Sequence, residues 1–124
     1  MNVLLENRAD ALFHALADRT RRDILRRSLE REHSVTSLAS AYDMSFAAVQ
    51  KHVAILERAG LLTKRRQGRE AITRGEVDAI RSAAALLLEL EGIWRGRIAR
   101  IDALLAQDDG KDGPVSARAK PKEG

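Results

Sequence analysis

The stretch that decides the fold runs from residue 45 to residue 69: Ser45-Phe46-Ala47-Ala48-Val49-Gln50-Lys51-His52-Val53-Ala54-Ile55-Leu56-Glu57-Arg58-Ala59-Gly60-Leu61-Leu62-Thr63-Lys64-Arg65-Arg66-Gln67-Gly68-Arg69. Ser45 is placed to cap a helix, because its hydroxyl can accept one of the orphan N–H groups of the first turn. Val49, Val53 and Leu56 then recur at 4-then-3 spacing, a buried stripe of a helix running to about Ala59. Gly60 is the expected stop, since glycine enters the left-handed region at little cost. Leu61 to Arg66 and Arg69 to Thr73 read as two strands turning around Gln67-Gly68. A helix that begins with small and polar residues can enter a major groove, and a basic hairpin beside it can hold phosphates.

Outward from this segment, the 124 residues suffice for one domain with a modest core. Only four residues are Phe, Trp or Tyr, so that core must be aliphatic, which suits packed helices. The absence of Cys excludes disulfides and thiolate metal sites. Met1 to Leu5 is too short for a secretory leader, and the apolar run 83–88 falls far below the roughly 20 residues of a membrane span. A soluble, cytoplasmic protein with no membrane partner is expected. The net charge of +4 is concentrated mid-chain. Residues 19–31 carry six Arg against Asp23 and Glu30, and residues 34–74 carry seven basic against three acidic groups, each a net +4. A polyanion would be met there, although a solvated charged surface reads the same on charge alone.

Before this segment, a helix is expected from about Asn7 to Ala17, with Leu12, Phe13 and Leu16 on one face. Asp18 caps a second helix, about Arg19 to Glu30, which buries Ile24, Leu25 and Leu29. His33-Ser34 breaks it, a short helix covers Thr36 to Ala41, and Tyr42-Asp43-Met44 connects to Ser45. After the hairpin, Ile80, Ala84, Leu87, Glu91, Trp94, Ile98, Ile101 and Leu105 keep an unbroken 4-3 alternation along a helix from Val77 to Ala106. At 1.5 Å per residue it would span about 45 Å, more than a small domain can cover, so its apolar seam should meet a second copy. Gly92 and Gly96 permit either close helix approach or a kink. Domain organisation is therefore expected as a folded unit over 1–106. The tail 107–124, rich in Gly, Pro and charge, should be disordered.

The order helix, helix, short helix, turn, helix, hairpin, long helix is that of a winged helix-turn-helix, mainly α with a small β-hairpin and a long C-terminal dimerisation helix. The chain resembles the ArsR (SmtB-like) family of bacterial transcriptional regulators over about residues 9–105. Four blocks carry the resemblance: residues 15–25 (ALADRTRRDIL), 44–53 (MSFAAVQKHV), 56–62 (LERAGLL) and 67–70 (QGRE). The resemblance implies a homodimer that binds double-stranded operator DNA in the bacterial cytoplasm, usually as a repressor released by an effector. Sensing sites of such regulators use cysteines on the third helix or Asp, His and Glu on the C-terminal helices. Here residues 36–42 carry no Cys or His and the last helix carries no His, so metal sensing is not carried over. The chain looks like the metal-independent members; no cofactor is implied, and the effector is unknown.

On this reading a recognition helix over 46–58 and a basic wing over 62–73 meet DNA. Ser45, Phe46, Ala47, Ala48, Gln50, Lys51 and His52 lie on the first turns of the helix. Gln50 suits adenine and Lys51 guanine or a phosphate; both also suit a solvated helix face. Ser45 is first a cap, Phe46 has the alternative of packing on the connector, and His52 lies at the edge of the buried stripe, equally a structural residue. Lys64, Arg65, Arg66 and Arg69 form the wing, whose crowded cations call for phosphate or minor-groove contact. Strand alternation puts Lys64 and Arg66 on one face and Arg65 on the other. Arg21, Arg22, Arg26 and Arg27 reach either flanking phosphates or Asp23 and Glu30. The dimer seam is assigned to Ile80, Ala84, Leu87, Trp94, Ile98, Ile101 and Leu105. No nucleophile triad, paired carboxylates or phosphate-cradling glycine loop is present, so an enzyme is not expected. A non-specific chromatin-like DNA binder and a protein-interaction module are the rival readings.

Overall fold

The computed structural model describes residues 3–112, with side chains described for residues 7–107. In chain order the elements are α1 (Val3–Leu16), α2 (Arg19–Glu30), β1 (His33–Ser34), α3 (Val35–Ala39), α4 (Phe46–Arg58), β2 (Leu62–Gln67), β3 (Glu70–Gly75) and α5 (Val77–Asp112). Three helices start on side-chain caps: Asp18 accepts from the Arg21 N–H, Ser34 from Ser37 and Ser45 from Ala48, at 3.0, 3.0 and 3.1 Å. Each cap satisfies a donor that the first helical turn cannot. At the far end of α4, Leu61 N–H donates to Leu56 C=O and Gly60 N–H to Glu57 C=O, at 2.9 and 3.0 Å. With Gly60 at φ +83°, this is the Schellman arrangement. Leu56 and Leu61, the apolar pair that accompanies it, are both fully buried.

The strands form one antiparallel sheet in the order β1-β3-β2. The third strand, β1, goes beyond the sequence pattern, in which His33-Ser34 is only a helix break. Two residues are too few to show alternation, and their partners, Thr73 and Ile72, lie about forty positions away in sequence. Thr73 is the hub of this junction. It is fully buried, its hydroxyl donates to the His33 carbonyl at 3.0 Å, and it lies 3.0 Å from the Ser28 hydroxyl. Because the Thr73 proton is committed to His33, Ser28 must be the donor of the second bond.

Ile24, Leu25, Leu38, Val49, Val53, Leu56, Leu61 and Leu62 make up most of the core, joined by Leu12, Ala15, Val35 and Ala83. Leu29, expected in the core, is instead 44% exposed. It lies against the backbone of β3: a Cβ built on Gly75 would come within 2.7 Å of the Leu29 side chain. Asp23 joins α2 to the connector before α4. It pairs with Arg26 at 2.6 Å and Arg27 at 2.8 Å, and accepts the Tyr42 hydroxyl at 2.5 Å. The Arg27 guanidinium also stands 5.6 Å from the Tyr42 ring centre.

Strand and short-helix boundaries lie within two residues of expectation, and two helix ends differ by more. Helix α1 starts at Val3 rather than Asn7, and α5 continues to Asp112, so residues 107–112, expected in the tail, are helical. The disorder expected of residues 113–124 lies outside the described residues. The chain divides into two compact units between Leu86 and Leu87, and the core belongs to the first. No described helix is long and apolar enough to cross a membrane.

Thr73→Val should strand both the His33 carbonyl and the Ser28 hydroxyl, lowering stability by about 1–3 kcal/mol; an unchanged urea midpoint would show that neither group needs Thr73. Tyr42 is the single tyrosine, so its ionisation can be followed by ultraviolet absorbance without ambiguity. Burial, then the Asp23 carboxylate, pushes its phenol from the ordinary 10.0 up to about 12. A raised folded-state value stabilises the protein below pH 10 and loses that contribution as pH rises towards about 12. Asp23→Ala should bring the transition only part way back, because burial remains; a phenol titrating near 10 in the folded wild type would contradict the packing.

Candidate nucleic-acid interface

Helix α4 is positioned by its apolar stripe. Val49, Val53 and Leu56 are sealed in the core, and the helical repeat therefore turns Phe46, Ala47, Gln50 and Lys51 outward. Ser45 is exposed at the cap, while Ala48 and His52 are half-buried at the margin. The expected face is thus present as one exposed surface on the first two turns.

The wing follows from its turn. Gln67 pairs with Glu70, leaving Gly68-Arg69 as a two-residue loop. Gly68 has φ +65° and, among the described residues, no non-glycine residue has positive φ, the pattern of a type II′ turn, whose twist matches its strands. Lys64, Arg66 and Arg69 come round to the same side as Phe46 and Gln50, and together they line a groove of about 170 Å³. Val35, Thr36, Val53 and Ala71 form its remaining wall with Glu70. Thr36 and Glu70 were not among the expected site residues. Glu70 stood only in the wing-tip motif, and Thr36 is brought in by packing of α3, which no local pattern announces.

The wing cations are not equivalent. Arg65 points away from this groove, as alternation requires, and bonds Glu32 at 2.9 Å and the side-chain amide oxygen of Gln67 at 2.9 Å. Lys64 lies 3.5 Å from Glu57, near the end of α4. Among the described residues, Arg66 and Arg69 have no carboxylate within ion-pair distance, nor does Lys51.

Behind the exposed face lies a contact that sequence reasoning missed. Arg21 is only 8% exposed. Its Nε donates to the Ala15 carbonyl at 2.8 Å and its Nη2 to the His14 carbonyl at 3.1 Å, satisfying the end of α1. Its Nη1 stands 3.2 Å from His52 Nδ1, and since a guanidinium only donates, Nδ1 is the acceptor and the ring proton sits on Nε2. Asp18 Oδ2 is farther from that nitrogen, at 4.0 Å. The Arg21 backbone N–H, the largest influence, holds the Asp18 carboxyl below the usual range. Of the two uses left open for His52, the structure supplies the structural one: it ties α4 to the α1–α2 junction. Nothing local distinguishes Arg21 from Arg22, which instead donates to the Leu16 carbonyl at 2.7 Å. Arg26 and Arg27 form the salt bridges to Asp23.

Along α5, Ile80 is half-buried against the core of its own unit. Ala84, Leu87, Trp94, Ile98, Ile101 and Leu105 are exposed. Arg97 lies over the Trp94 ring, 5.6 Å from its centre. Leu90, Ile93 and Leu104, outside the expected seam, are exposed as well. Among the described residues no group of three His, Asp or Glu is placed to hold a metal ion.

Comparison with known proteins agrees with this geometry. A family model described as a helix-turn-helix domain matches residues 16–65, from the end of α1 into the wing. An uncharacterised HTH-type transcriptional regulator of Bacillus subtilis (strain 168), YuzN, is 43% identical over 67 residues, which cover 48% of this chain and 73% of the relative. The crystal structure of an ArsR family transcriptional regulator superposes with a TM-score of 0.70 at 31% identity, covering 73% of this chain and 93% of that one. A homodimeric winged helix-turn-helix DNA-binding domain from Mycobacterium bovis, described as a possible ArsR-family regulator, matches with a TM-score of 0.59 at 25% identity, covering 71% and 82%. The chain belongs to the ArsR family of winged helix-turn-helix, DNA-binding transcriptional regulators.

Proposed function

We propose that the protein acts as a homodimeric repressor that recognises an inverted-repeat operator, with α4 in the major groove and the wing on the flanking backbone. One observation carries this reading: the groove that places Phe46 and Gln50 of the recognition helix beside Lys64, Arg66 and Arg69 of the wing. Base-reading groups and phosphate-binding cations then act on one stretch of duplex. Gln50 reads adenine and Lys51 guanine, while Ala47 and Ala48 permit close approach to thymine methyls. The dimer is supported by the exposed apolar residues of α5, Leu87, Trp94, Ile98, Ile101 and Leu105, and by the homodimeric state of the Mycobacterium bovis neighbour. A two-fold dimer demands a palindromic site, with half-sites near one helical turn or a multiple of it apart.

Selection from random duplexes should therefore return a palindrome; enrichment without any motif would point to a non-specific binder instead. On the selected duplex, Lys51→Ala should cost about 1–3 kcal/mol of specific binding and much less on scrambled DNA. Equal losses on both would remove Lys51 from base reading. Arg66→Ala should weaken both and reduce the salt slope by about 0.9. Ile98→Arg should convert a dimer to a monomer in sedimentation while leaving the far-ultraviolet dichroism unchanged, because the side chain is exposed within the single chain. A monomeric wild type would rule out the dimeric reading.

A further inference from the structure

Arg65 stands apart from the other wing cations, and its surroundings give it a different task. Its Nη1 meets Glu32 Oε2 at 2.9 Å and its Nη2 donates to Gln67 Oε1 at 2.9 Å. Glu32 immediately precedes β1, whose partner is β3 rather than β2. The Glu32–Arg65 pair therefore reaches past β3 and fastens β2 to the chain segment that enters the sheet from the opposite edge. The Gln67 bond, two residues along the same strand, fixes the guanidinium just before the turn. The groove-lining cations are Lys64, Arg66 and Arg69; Arg65 is not among them.

We propose that Arg65 is a positioning residue of the wing, held by Glu32, and not a phosphate contact. The inference rests on the DNA-binding reading of the wing and sharpens it. The pair braces the hairpin so that Arg66 and Arg69, which have no carboxylate partner among the described residues, meet the duplex at a set angle. The acidic residue thus favours DNA binding although its charge opposes it. An exposed ion pair of this kind contributes little to global stability, so its effect is confined to the hairpin.

The sign of the Glu32 effect separates the two roles. If Arg65 touched phosphate, Glu32→Ala would free a cation, remove a repelling charge and tighten binding. As a brace, Glu32→Ala should weaken binding roughly two- to five-fold, the scale of an exposed ion pair. Arg65→Ala should weaken it to the same extent, and the double variant no further, since both remove one interaction. The salt slope should remain that of the wild type in all three variants. The measurement is fluorescence anisotropy on a labelled random-sequence duplex across a salt series, with Arg66→Ala as the internal reference. Tighter binding by Glu32→Ala, or a slope lowered by about 0.9 in Arg65→Ala, overturns the brace. An unchanged slope in Arg66→Ala marks failure of the wing's phosphate-binding role itself, and absence of any wild-type binding overturns both readings.

Discussion

Burial of Val49, Val53 and Leu56 is the constraint on which the remaining features depend. With this stripe sealed in the core, α4 has no rotational freedom left, and Phe46, Ala47, Gln50 and Lys51 must face solvent. The cap at Ser45 sets where the helix starts, and Gly60 sets where it ends. Because Leu61 packs with Leu56 at that end, the chain leaves the helix in a single direction and enters β2 with Leu62 also buried. The recognition face and the wing are therefore two consequences of one packed seam. The buried Arg21 reinforces it from behind by joining α1 carbonyls to His52.

Charge is layered on this frame unevenly. The central region is rich in arginine, yet much of that charge is consumed inside the protein. Arg21 satisfies the end of α1, Arg26 and Arg27 surround Asp23, and Arg65 is engaged by Glu32. Among the described residues, Lys51, Arg66 and Arg69, beside the exposed turns of α4, are among the cations without a carboxylate partner. A net charge of +4 thus says that an anion is a plausible partner, while the pairing pattern says which cations are still available to it.

Most of the architecture was legible because it is local. Capping by Asp18 and Ser45, the stop at Gly60, the turn at Gly68 and the long helix α5 each need only residues within one or two turns of one another. The family blocks lie in these same segments. The failures share an opposite character. β1 is two residues long and is defined only by pairing with β3; Leu29 has the right helical spacing for burial but meets the backbone at Gly75; Ile80 begins the apolar seam yet is half-buried against its own unit.

By itself, the sequence determined the helix-turn-helix, the wing, the outward face of α4 and the opposed directions of Lys64 and Arg65, since backbone periodicity and capping chemistry act over short distances. Tertiary structure alone decided which arginines are engaged within the protein, that Thr36 joins the groove, and that His52 meets Arg21. Those outcomes depend on which carboxylate or carbonyl arrives beside a given side chain from a distant part of the chain, and hydrogen bonds and ion pairs of that kind leave no spacing for a sequence to display.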